Sequence, residues 1–278
     1  MTELNTEEVA DSQVLEEPPP EPRRPLYRAL LAVAPFLGLT FFFVGWELYV
    51  RISDIRPLTL PLPSDILRHI IDNPGFYWRN GLVTVQEAFW GFWLAFIVAI
   101  TVATIMAYSR FMERATMPII VLIQSTPVAV LVPIFIIWFG FSSWPKIITA
   151  ALFAWIPFVA NAVTGLRAVD PDSHELLQSI DASNWEIYWR LRVPHSLPYM
   201  FSAARICIGL ALVGAVVGEF FNSKEGLGNA ARVAQSRLLI DQLWGSVFVL
   251  AFIGVAFVLL LTAVERRVLR WHSSQMLG

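Results

Sequence analysis

The sequence predicts an all-α polytopic membrane protein with six transmembrane helices, and three observations carry that expectation. Of 278 residues, 56% are hydrophobic and only 15% charged, whereas soluble domains hold about 45–50% apolar and about 25% charged residues. Six stretches of about 20 mostly apolar residues recur along the chain, the length a helix needs to cross a hydrocarbon core about 30 Å thick. Polar connections separate them, and arginines favour alternate connections. The formal net charge of −2 excludes nucleic acid as a partner, because neutralising phosphates demands a dense basic surface. The expected surroundings are membrane lipid. A single cysteine, Cys207, and four scattered histidines offer no disulfide, iron–sulfur or metal-ligand pattern.

Residues 1–25 form an acidic, proline-rich string (EEPPPEPRRP) too poor in apolar side chains to fold, and are expected as a disordered tail. Residues 26–278 then make one membrane domain. Its spans are expected over 30–50, 88–108, 117–140, 147–166, 197–221 and 244–264. After the first span, Pro63–Ile71 (PSDILRHII) begins like a capped helix. Ser64 or Asp65 can accept an orphan amide, and Ile66, Leu67, Ile70 and Ile71 form one stripe along the outer membrane surface.

The third span contains Gln124, Ser125, Thr126, Pro127 and Pro133. A broken helix survives in lipid only where protein or a watery cavity satisfies its freed backbone groups, so this span faces protein or a pathway. Gln124, Ser125 and Thr126 either line that pathway or make interhelical hydrogen bonds worth about 0.6 kcal/mol each. In the fifth span, Arg205 lies toward the inner side as an anchor, or meets another subunit. Glu219, near the outer end, is a further candidate for the translocation pathway, as a gate or structural contact rather than a substrate contact, because a bare carboxylate would repel an anion. At 1.5 Å rise per residue they are about 21 Å apart and do not pair. Gly91, Gly209, Gly214 and Gly218 are expected to permit close helix packing.

With both termini in the cytoplasm, inner segments carry 11 of the 20 Lys and Arg residues and outer segments 8, with Arg205 inside a span. Arg266, Arg267 and Arg270, directly after the last span, do most to set this orientation. Trp46, Trp78, Trp138, Trp144, Trp244 and Trp271 fall near span ends, where an apolar ring with one N–H donor suits the interface.

The longest inner segment, residues 167–194, carries polar helices that a plain connector does not need. Asp172 or Ser173 can cap a short helix bearing Leu176, Leu177 and Ile180, with Glu175 three residues after Asp172 as in a capping box. Asp181 stands where that helix can end in the left-handed region, which aspartate tolerates. Ser183 and Glu186 form a second box, opening a helix through Trp185, Ile187, Tyr188 and Leu191 that is expected to stop before Pro194. The plain alternative is a solvated connector resting on the membrane.

Glu175, Asp181, Leu191, Val193 and Pro194, at offsets 0, 6, 16, 18 and 19, resemble the E-A-A-x-x-x-G-x(9)-I-x-L-P loop of ABC importer permease subunits. Leu176 and Leu177 stand at the usual alanines and Asp181 at the usual glycine. PLPSDIL, QSTPVAVLVPIFIIWFG (Gln124 to Gly140), and VGEFF followed by GLG (Val217 to Phe221, Gly226 to Gly228) are similar to the nitrate, sulfonate, taurine and bicarbonate permease group. Thiamine-precursor pyrimidine permeases are similar to the same group.

The resemblance implies the type I ABC importer permease fold and a bacterial inner-membrane location. It implies a pathway for a small solute, foremost an anion such as nitrate, a sulfonate, taurine or bicarbonate, or alternatively a vitamin-precursor pyrimidine. The implied partners are cytoplasmic ATPase subunits, an extracytoplasmic solute-binding protein and a second copy of this chain. Docking of the ATPase is implied at Asp172, Ser173, Glu175, Leu176, Ser179, Asp181, Ala182, Ser183, Trp185 and Pro194. No Gly-Lys dipeptide occurs, so the phosphate loop is lacking; ATP and Mg are expected on the partner and no cofactor on this chain. A secondary transporter would show repeated halves and mid-depth carboxylates, and a membrane enzyme a nucleophile with a base; the sequence displays neither.

Overall fold

The computed structural model describes residues 25–56 and 58–269. The tail expected over residues 1–25 lies outside them except for Pro25, as do Arg270 and Trp271. Among the described residues every regular element is helical: α1 (Pro25–Ile52), α2 (Pro63–Asp72), α3 (Pro74–Tyr108), α4 (Arg110–Ser125), α5 (Val128–Phe139), α6 (Trp144–Arg167), α7 (Pro171–Ser179), α8 (Asn184–Ile187), α9 (Val193–Asn222), α10 (Leu227–Ser236) and α11 (Ile240–Val268). A π-helical turn, Tyr188–Arg192, joins α8 to α9.

Five helical stretches are long and apolar enough to span: 33–52, 74–108, 144–167, 184–221 and 240–268. A sixth span arises when α4 and α5 count together, and these are bent by 98° across Thr126 and Pro127. The interruption expected in the third span is therefore real, and it sits where Pro127 removes an amide and restricts its predecessor.

The chain divides into two units at Asp54 and Ile55. The first carries α1, whose Glu47 and Arg51 pair one turn apart at 2.6 Å. The second is built around α3, α6 and α9. Its core is made of small side chains four residues apart: Ala95, Ala99 and Ala103 on α3, Ala150 and Ala154 on α6, and Ala203, Cys207, Ala211 and Ala215 on α9. Helices in lipid gain little from hydrophobic burial against one another, so close backbone approach through small residues supplies the packing.

Glycines complete this clasp of α6. A Cβ on Gly91 would stand 2.9 Å from the Ile147 carbonyl, one on Gly214 2.7 Å from Ala150 Cα, and one on Gly218 2.8 Å from Lys146 Cα. Gly209 differs from expectation, with open space where its Cβ would be.

Four further expectations change. Helix α3 starts at Pro74, well before residue 88, so Asn80, Thr84 and Glu87 lie inside a long helix. Lys146, counted among outer charges, is buried at 6% exposure. The cap of α2 is neither Ser64 nor Asp65; Leu62 precedes Pro63 with no side-chain cap, because the fixed φ of proline already starts the turn. Finally, the helix opened at Ser183 does not stop before Pro194. It passes through the π turn into α9, whose first turn accommodates a residue without an amide.

Candidate functional site

Between α6 and α9 the chain makes a polar elbow. Asp170, not Asp172 or Ser173, caps α7: its carboxylate accepts from the Ser173 amide at 3.2 Å and the Ser173 hydroxyl at 2.9 Å. Pro171 takes the first helical position, which puts Asp172 and Ser173 inside the first turn, two and three residues past the cap. The Ser173 hydroxyl, then its amide, hold the Asp170 carboxyl below the usual aspartate range.

The end of α7 follows expectation. Asp181 has φ +55°, its amide reaches the Gln178 carbonyl at 3.0 Å and the Ala182 amide reaches Leu177 at 3.0 Å. That is the double bond of a helix terminated in the left-handed region, with aspartate in the position glycine usually takes. The second box also forms, Ser183 accepting from the Glu186 amide while the Glu186 carboxylate accepts from the Ser183 amide at 3.0 Å.

One side of the elbow grips the bundle. Tyr188 and Thr104 share a hydrogen bond at 2.9 Å, the Tyr108 hydroxyl donates to the Asn184 carbonyl at 3.3 Å, and the Arg192 guanidinium lies 4.9 Å from the Tyr108 ring centre. Close by, Arg167 at the end of α6 donates to both Glu113 oxygens at 2.8 Å and to the Met106 carbonyl at 2.8 Å. The other side is open: Leu176, Ile180, Trp185 and Trp189 are 51–69% exposed. Glu175, Ser179, Asp181 and Ser183 are exposed with them, while Ala182 and Pro194 are half-buried.

At the break in the third span, the hydroxyls of Ser125 and Thr126 both bond back to the Leu122 carbonyl, at 3.0 and 2.9 Å. Gln124 is exposed and has no partner among the described residues. Glu219 is elsewhere, fully buried. It accepts from the Thr84 hydroxyl at 2.7 Å and the Gly228 amide at 2.5 Å, so both its oxygens are engaged and it shows no face to a pathway within this chain. Arg205 meets Glu265 of α11 at 3.0 Å, a partner within the chain that sequence spacing did not suggest.

Sequence reasoning passed over Asn80, Thr84, Glu87 and Lys146. Their signal was present: Asn80, Thr84, Glu87 and Gly91 recur at i, i+4, i+7 and i+11, one polar and small stripe on a helix.

Residues 91–272, well over half of the chain, match the family described as binding-protein-dependent transport system inner membrane component. The chain belongs to this family. It is 29% identical over 249 residues to the formylaminopyrimidine transport permease protein ThiX of Halalkalibacterium halodurans, covering 89% of this chain and 99% of that one. It is 30% identical to the riboflavin transport system permease protein RibX of Chloroflexus aurantiacus, covering 86% and 92%. It is 26% identical to the taurine transport system permease protein TauC of Escherichia coli, covering 84% and 88%. Among solved structures, the inward-facing MetNI methionine ABC transporter shares the fold at 16% identity and a TM-score of 0.58, over 70% of this chain and 95% of that one. This ABC importer permease is thus a multi-pass, all-helical transport subunit.

Proposed function

We propose that this permease docks a separate ATPase subunit on its elbow and converts nucleotide-driven closure of that partner into rearrangement of the spans. The observation that carries this reading is the elbow's two-sidedness. Four large apolar side chains stand exposed on a polar connector, while the opposite side is bonded to the end of α3 and runs on directly into α9. A partner that covers Leu176, Ile180 and Trp185 moves those helices with it, as rigid elements transmit two-state switching. Asp172, Ser173, Glu175, Ser179, Asp181, Ala182, Ser183 and Pro194 frame that contact. ATP and Mg belong to the partner.

Six spans enclose a watery route poorly, so two copies line one pathway about an axis normal to the membrane, with both termini cytoplasmic. Gln124, Ser125 and Thr126, at the break of the third span, face that route. An extracytoplasmic binding protein delivers the solute. Its first candidate class is a small anion of the sulfonate, taurine, nitrate or bicarbonate kind. A vitamin-type heterocycle is the second, favoured by the higher identity to ThiX and RibX.

The test is co-purification. Glu175→Arg inverts one charge on the elbow and leaves the spans intact; recovery of the ATPase subunit and uptake should both fall. Unchanged recovery with normal solute-stimulated ATP hydrolysis would sink the docking reading. Calorimetry of the neighbouring binding protein with taurine, nitrate and a formylaminopyrimidine separates the solute classes.

A further inference from the structure

The end of α9 remote from the elbow holds a polar knot in an otherwise alanine-packed core. Three consecutive amides open α10, and each is met by a buried side chain. Gly226 donates to Asn80 Oδ1 at 2.9 Å, Leu227 to Thr84 Oγ1 at 2.9 Å and Gly228 to Glu219 Oε2 at 2.5 Å. The Thr84 hydroxyl in turn donates to Glu219 Oε1 at 2.7 Å. Asn80, Thr84 and Glu219 are 4%, 0% and 0% exposed. The first amides of a helix lack intrahelical partners, and its N-terminus favours negative charge; here α3 and α9 supply every acceptor.

The chain leaves no slack around this cradle. Gly226 has φ +102°, and a Cβ there would run into the Glu219 carboxyl. On Gly228 a Cβ would stand 2.7 Å from the Val216 carbonyl. Beside the cradle, Lys146 of α6 pairs with Glu87 at 2.5 Å and reaches Ser223, on the turn into α10, at 3.3 Å. Small-residue packing brings α3, α6 and α9 close together. Buried polar groups are costly in a membrane protein and tend to mark function; what this set adds is a single defined seat for α10.

We infer that Asn80, Thr84 and Glu219 are positioning residues that clamp α10 onto α3 and α9, and that transport depends on α10 being held there. The inference rests on the importer reading. Helix α9 connects the two ends of the device: it leaves the elbow at Val193 and reaches the clamp at Asn222, so its 30 residues span about 45 Å. The clamp makes α10 follow α9 as one body, so that a displacement received at the elbow reaches α10 without slack. The hydrogen bonds matter here more than the charge of Glu219. A glutamine at 219 can still accept the Gly228 amide, and its NH2 can donate to Thr84 Oγ1, whose own proton then goes to the Asn80 carbonyl, already 3.2 Å away.

A spin label on Ser236→Cys, exposed on α10, reads the clamp directly in the reconstituted complex, with solute uptake measured alongside. Glu219→Ala and Thr84→Val should each mobilise the label and lower uptake about tenfold, as loss of a buried hydrogen-bond partner warrants, and Gly226→Ala should do the same by driving a Cβ into the Glu219 carboxyl at a positive φ. Glu219→Gln should keep both near the parent values. Gly226→Ala removes no polar group, so its agreement with the others separates α10 seating from lost chemistry. Uptake lost with an immobile label, uptake retained with a mobile one, or Glu219→Gln failing like Glu219→Ala would each overturn the inference. Label mobility does not require the ATPase subunit; its absence from the purified complex would count against the importer assembly and leave the clamp result standing.

Discussion

Lys146→Met is the most informative single perturbation of the core. Lys146 Nζ and Glu87 Oε1 are 2.5 Å apart, with side chains only 8% and 4% exposed. At an effective dielectric of about 20 their attraction is on the order of 7 kcal/mol. Removing two ions from water costs several kcal/mol each, so the intact pair comes out near balance. Methionine fits the apolar stem of the lysine but leaves the Glu87 carboxyl buried beside Glu219 without its cation, and breaking a buried pair in this way costs about 3–5 kcal/mol. At 2–4 °C per kcal/mol for a chain of this size, the thermal midpoint should fall by roughly 10 °C. Lys146→Met combined with Glu87→Met removes both charges, while Glu219 keeps its Thr84 and Gly228 donors, and most of the loss should return. Thermal unfolding of the detergent-solubilised permease measures both variants. Equal loss in the single and double variants would assign the cost to packing and refute the charge argument.

Three other outcomes follow from local geometry. Gly214→Leu drives a side chain into Ala150 and Phe153 and should destabilise by about 1–3 kcal/mol as overpacking does, whereas Gly209→Leu, with open space at that position, should change chain stability little; the same thermal assay compares them. Asp181→Gly should be neutral or stabilising by about 1 kcal/mol, because it relieves a left-handed backbone, and Asp181→Val should lower recovery of the ATPase subunit. The Asp170 carboxyl lies below its ordinary value, so its support for α7 is present at neutral pH and disappears as pH falls through that lowered value. Asp170→Ala should therefore quicken amide exchange in α7 at neutral pH and match the parent chain once the parent's own carboxyl is protonated; a constant difference at all pH values would remove the cap as the cause.

What the sequence made legible was whatever is written within one or two turns. Apolar runs of span length are local, and so is the break at Thr126 and Pro127, although nothing local prescribes a bend of 98°. The Ser183 and Glu186 box and the left-handed Asp181 were readable because donor and acceptor lie three to five residues apart. The cap of α7 was misplaced by two residues because Pro171 starts the helix earlier than the acidic residues suggest. The clamp on α10 lay beyond such reading: Thr84 and Glu219 are 135 positions apart, and Asn80 and Gly226 are 146 apart. Only the periodic stripe of Asn80, Thr84, Glu87 and Gly91 gave notice. A polar stripe on a helix in lipid requires a polar partner; Glu219 was the intramembrane charge left to supply it once Arg205 had turned to Glu265, and Lys146 stood one residue before the expected start of its span. Treating each buried charge as a demand for another, before assigning any of them to solvent or solute, would have brought α3, α6 and α9 together from the sequence.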